Sequence, residues 1–139
     1  MEFSASTTIQ ADPMTIWAVL TDAERFPEWE PNVTRIDGQI ALGEKITVHT
    51  SFSTRAFPVT VSEFVPGERM VWSSAMPLGL FRGARTFTLE ALSDDQTRVT
   101  TREVFGGLLL PLIGRTIPDL QPSFDQFAAA LKERSEANA

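Results

Sequence analysis

Arg85 and Glu103 are the residues of this chain whose placement most invites chemistry, because each interrupts a run that otherwise alternates toward an apolar face. Phe81, Gly83, Arg85, Phe87 and Leu89 fall at every second position, as do Val99, Thr101, Glu103 and Phe105. A period of two is that of a strand with one face turned inward. If the two segments form a hairpin closed by a three-residue loop, Ser93-Asp94-Asp95, the register opposes Arg85 to Glu103, Phe87 to Thr101 and Leu89 to Val99. Two inward charges are costly unless paired and hydrogen-bonded. Three roles are open to such a pair: a structural ion pair between strands, the polar anchor of a mainly apolar cavity, or a general acid/base. The last is the weakest expectation, since a neighbouring guanidinium lowers a carboxylate pKa and makes it a poorer base.

Trp72 shares a face with Met70 and Ser74, and either packs the core or lines the same space with Phe81 and Phe87; Phe105 and Phe124 close it. Glu63 lies on the face of Val59, Val61 and Val65 and is a second candidate inward carboxylate, unless Pro58 shifts the register and turns it outward. Gly106 and Gly107 permit a chain reversal before Leu108. His49, the single histidine, falls on the polar face of its strand, so a metal site is not expected. Ser123 has no identifiable base, and GQIALG and RGART lack the glycine spacing and lysine of a phosphate loop. No cofactor is expected, and no residue is assigned a catalytic role.

The elements that must position these side chains follow from periodicity and breakers. Glu2 to Gln10 alternates as a strand. Asp12-Pro13 opens a short helix, and Asp22 opens a second that Pro27 cuts short. Strands are expected near Thr34 to Ile40, Lys45 to Phe52, Ala56 to Val65, Arg69 to Ser74, Phe81 to Leu92 and Gln96 to Phe105. Pro58 requires its strand to be an edge there or to carry a bulge. Leu120, Phe124, Phe127, Ala128 and Leu131 mark one amphipathic helix. It either begins near Leu112 with bends, the preferred reading, or follows a broken approach from Asp119; fraying is expected after Arg134. One helix can cover one face of six or seven strands only if the sheet curls around it.

The 139 residues suit a single domain spanning 1–139, and 42% hydrophobic against 22% charged residues provides a core. The chain has no cysteine, which removes disulfides, thiolate nucleophiles and Cys-based metal sites. A net charge of -6 without a basic cluster makes nucleic acid and anionic membrane surfaces poor partners. The amino end lacks a signal-peptide pattern and no apolar stretch is long enough to span a bilayer, so a cytoplasmic protein without membrane insertion is expected, as a monomer or homodimer.

In order and spacing, ADPMTIWAVLTDAERFPEWEP, VTVSEFVPGERMVW, RTFTLEAL, TRVTTREVFGG and FDQFAAALKERSE resemble the START-like helix-grip superfamily, specifically its polyketide cyclase/dehydratase and lipid-transport-like (SRPBCC) members, over nearly the whole chain. The resemblance implies an α+β fold: a curved antiparallel sheet of six or seven strands around a long C-terminal helix, with two short helices after the first strand. It also implies a hydrophobic cavity between sheet and helix, with polar residues at the positions of Arg85 and Glu103; Arg85 stands where some relatives carry histidine. The function expected is binding of a small apolar or aromatic molecule. The alternatives are a cyclase or dehydratase and a protein-interaction module with a filled core.

Overall fold

The alternation of the first residues is realised as β1 (Glu2–Ile9). The computed structural model, which describes residues 1–139, continues through α1 (Pro13–Leu20), α2 (Phe26–Trp29), β2 (Val33–Asp37), β3 (Lys45–Thr50), β4 (Phe57–Val65), β5 (Arg69–Ala75), β6 (Arg82–Ser93), β7 (Gln96–Gly106), α3 (Leu110–Ile113) and α4 (Gln121–Asn138). Consecutive strands from β2 to β7 pair antiparallel, and β1 returns to pair with β7, giving the order β1-β7-β6-β5-β4-β3-β2. The sheet curls around α4, whose Phe124, Phe127, Ala128 and Leu131 are buried. The architecture is the helix-grip arrangement of α+β type.

Asp12 caps α1 by accepting the backbone N–H groups of Met14 and Thr15 at 3.1 and 3.3 Å, and Pro13 occupies the first turn, where its missing donor costs nothing. The same logic corrects the expectation for α2. Pro27 lies in the first turn of that helix and does not end it, while Asp22 holds the N–H of Arg25 in a separate turn. Ile16 and Leu20 of α1 join Ile9, Ile46, Val61, Met70, Phe87 and Leu131 in a core sealed from solvent. At about 25 cal/mol per Å² of apolar surface, this burial is the main force holding helix to sheet.

Three local expectations are settled by backbone geometry. Pro58 pairs with Thr47 of β3, whereas the pairing of β4 with β5 begins only at Thr60, so the proline sits where its strand is an edge. The bulge lies further on, at Ser62, where it reverses the alternation. Phe64 therefore turns inward, 5.2 Å from the Trp17 ring, and Glu63 turns outward to Arg69 at 3.3 Å. The β6–β7 hairpin closes through a two-residue turn, Asp94-Asp95, with a slip at Leu92 instead of a three-residue loop. One extra residue in the strand replaces one in the loop, so the register beyond it is the expected one.

The approach to α4 corrects the preferred reading. α3 and a tight 3₁₀ turn (Gly114–Thr116) precede a clean helix beginning at Gln121, because Pro118 prevents continuous helix and Pro122 fits only a first turn. The helix also runs on to Asn138 without ending near Arg134. Glu136 holds its last turns, accepting from Gln10 N–H at 2.8 Å and from Lys132 at 2.7 Å.

Candidate functional site

Every second residue of β6 and β7 faces α4, and the pairing sets Arg85 opposite Glu103 on one side and opposite Trp72 of β5 on the other. The guanidinium is not a simple ion pair: no Arg85 nitrogen lies within 4.0 Å of a carboxylate oxygen. Its Nε donates to Thr101 Oγ1 at 3.0 Å. Its central carbon lies 4.4, 4.7 and 5.0 Å from the ring centroids of Phe124, Phe127 and Phe87, so three π-faces supply the attraction that a carboxylate usually supplies. Although part of the residue's surface stays open, Nη2 is sealed and has no hydrogen-bond partner.

A second carboxylate absent from the expected set completes the cluster. Glu30 follows α2 directly, is 5% exposed, and accepts the backbone N–H of Asn32 at 2.9 Å. Strand periodicity could not reveal it, since it belongs to a turn; the available signal was Pro31 immediately after it, which disfavours continued helix at Glu30. Burial raises the pKa of both Glu30 and Glu103, against the opposing pull of Arg85. The expected lowering of Glu103 is thereby reversed: desolvation outweighs a guanidinium that does not touch it. Burial likewise pulls Arg85 below the ordinary arginine value, while Glu103 and Glu30 oppose that shift.

The aromatic residues form a continuous group. Trp72 is buried, with its ring 4.9 Å from Phe87 and 6.0 Å from Phe26, and its Nε1 is sealed without a partner. Trp29 Nε1 is in the same condition, with its ring 4.6 Å from Phe26 and 5.6 Å from Phe127. Phe124 packs against Phe3, and Phe105 links Phe3 to Phe81, on which it stacks at 5.8 Å. Arg85, Glu103, Trp72, Phe87, Phe105 and Phe124 are thus brought to the concave side, Phe81 lies at its end beyond β6, and Glu63 lies outside. Orphaned donors on Arg85, Trp29 and Trp72 around shared rings are what an acceptor-bearing molecule would satisfy.

Other features lie at the edge of this cluster or apart from it. A cleft of about 160 Å³ opens between α1 and the end of α4, lined by Val19, Trp29 and Arg134 among others, and one of about 490 Å³ lies between Thr21–Glu24 and Gly38–Ala41. His49 bonds to Asp37 at 2.9 Å on the surface, beside Arg35. No three His, Cys, Asp or Glu side chains are gathered to hold a metal, and no helix is long and apolar enough to cross a membrane.

Comparison with known proteins agrees with the fold. The hypothetical protein jhp0584 from Helicobacter pylori superposes with a TM-score of 0.77 at 16% identity, covering 97% of this chain and 88% of that one. The di-domain ARO/CYC BexL from the BE-7585A biosynthetic pathway gives 0.73 at 16% identity, over 98% of this chain and 46% of that one. A Thalictrum flavum norcoclaurine synthase point mutant in complex with a transition-state analogue gives 0.72 at 12% identity, over 97% and 93%. These likenesses concern the fold. No curated protein matches the chain in sequence. The family profile of polyketide cyclase/dehydrase and lipid transport matches residues 1–136, and the chain belongs to that family, within the START-like helix-grip superfamily.

Proposed function

We propose that the chain binds a small, mainly apolar or aromatic molecule between the concave sheet and α4, with Arg85 donating to an oxygen of that molecule. Trp72, Phe81, Phe87, Phe105 and Phe124 contribute its apolar surroundings. The observation that carries this reading is the sealed, partnerless Nη2 of Arg85 amid three phenylalanine rings. A stabilising brace would be expected to use its donors, whereas a binding group keeps one free. The neighbouring rings must shift to admit a molecule, since Phe87 and Phe127 are buried with their rings 5.7 Å apart.

The test begins with native mass spectrometry of untreated protein to identify a co-purifying compound, followed by its titration against wild type and Arg85→Ala. A hydrogen bond from a charged donor contributes about 1.5–3 kcal/mol, so the variant should bind at least about tenfold more weakly. Unchanged affinity in a folded variant removes the proposed anchor. If nothing co-purifies or binds, the reading of a protein-interaction module with a filled interior takes its place.

One observation favours a second reading, an enzyme of cyclase or dehydratase type. Glu103 and Glu30 are both shifted upward by burial, toward the range in which a carboxyl can give and take protons near neutral pH. BexL and norcoclaurine synthase, by their names, belong to proteins that act on substrates. Turnover abolished in a folded Glu103→Gln variant, with binding of the same compound retained, supports catalysis over carriage alone.

A further inference from the structure

We propose that the end of the molecule formed by the β3–β4, β5–β6 and β7–α3 connections docks on an anionic bilayer surface. Antiparallel pairing places all three connections at one end of the sheet. There Leu78, Leu108 and Leu112 stand 89, 77 and 66% exposed. Two of the connections are fastened together, Leu108 N–H donating to Gly79 C=O at 3.1 Å and Leu109 N–H to Leu80 C=O at 2.7 Å, so the leucines project from one braced platform. Leu78 is moreover the one non-glycine residue with positive φ, at 62°. A side chain held in the left-handed region and turned into water costs free energy twice, and folding alone gives no return for either.

The charges decide what covers this end. The chain as a whole is at -6, yet the three connections and the segments that flank them, the first residue of β6 and the approach from α3 to α4, carry exposed Arg55, Arg82 and Arg115 against the exposed acid Asp119. None of these arginines enters an ion pair, whereas Arg25, Arg35, Arg69, Arg98, Arg102 and Arg134 all do. An apolar face on a partner protein would leave three guanidiniums without counter-charge. A bilayer interface with acidic headgroups receives leucines into the acyl boundary and guanidiniums at the phosphate level together. Net charge alone points away from such a surface; its distribution points toward it. The contact is peripheral and independent of what the interior binds.

Flotation of the full chain with vesicles of phosphatidylcholine, or of phosphatidylcholine containing about 30% phosphatidylglycerol, tests the assignment at low and high salt. Wild type should float with the acidic vesicles only and be released by salt. Arg82→Gln and Arg115→Gln should each weaken binding about fivefold. Leu108→Ser with Leu112→Ser should weaken it at least about tenfold while leaving the salt dependence in place. Leu78→Gly separates docking from folding, since it removes the projecting side chain and relieves the positive φ: binding should fall while the thermal midpoint is held or raised. The proposal is overturned by binding to neither vesicle, by equal binding to both, or by variants that float as wild type does. It is equally overturned if light scattering shows wild type to be a dimer that the double leucine variant dissolves, because a second copy then covers this end.

Discussion

The two ends of the interior are built from the same strands and the same helix, yet they treat polar groups in opposite ways. Beneath α1, Ile9, Ile16, Leu20, Ile46 and Leu131 are sealed, and the buried Thr97 hydroxyl donates to Ala11 C=O at 2.8 Å. Ser135 Oγ is sealed there without a partner, but a helical serine has its own carbonyl four residues back within reach of a small rotation. Around the first half of α4, by contrast, an arginine and two tryptophans hold sealed donors without a partner, and two carboxylates are kept above their ordinary pKa. One end is arranged for stability. The other retains costs that stability alone would have removed, and such costs mark functional sites.

The comparison breaks most readily at the apolar end. Leu131→Ala removes a fully sealed side chain at the meeting of α4 with the sheet and should cost about 3 kcal/mol, read from the urea midpoint at constant slope. A loss under about 1 kcal/mol would mean that the space collapses freely and that this end is not the tighter one.

At the polar end the effect should be smaller. Arg85→Met keeps the length of the side chain and removes the sealed donor, whose burial without a partner costs about 1–3 kcal/mol, while forfeiting about 0.5–2 kcal/mol of cation–π attraction. With the hydrogen bond to Thr101 also lost, the variant should lie within about 2 kcal/mol of wild type and should lose ligand binding. Destabilisation by more than about 3 kcal/mol would make Arg85 a structural brace and abolish the contrast.

How far the sequence revealed each end follows from the same physics. The hairpin register was legible because two faces alternating with period two can meet in only one parity, and trading a loop residue for the slip at Leu92 left that parity intact. Glu63 was misplaced because the bulge at Ser62 has no glycine or proline to announce it. Glu30 was missed because a turn has no period. The start of α4 was ambiguous because three prolines offer several first turns, and only the packing of Phe124 and Phe127 selects among them. The direction of the Glu103 shift depended on a distance: opposed residues on paired strands need not bring their charges together, and Arg85 turns toward the rings instead.

The finest test of the contrast is Glu30→Gln as a function of pH. Burial holds this carboxyl above the ordinary glutamate value of 4.5, so between that value and its own raised one the folded chain keeps a proton that the unfolded chain has released. Stability contributed by the group is therefore fully present below about pH 4.5 and is lost as pH rises through the folded value. Glutamine can still accept the Asn32 N–H but does not titrate. The two proteins should be nearly equally stable in acid, and the variant should gain over wild type as pH climbs, levelling once Glu30 is ionised in both states. Glu2, Asp12, Asp37 and Glu136 are shifted downward and lose stability in acid, but they do so in both proteins and drop out of the difference. A difference that does not vary with pH would show that the Arg85 field fully offsets burial at Glu30, and the carboxyl would then be an ordinary ionised acceptor for the Asn32 N–H.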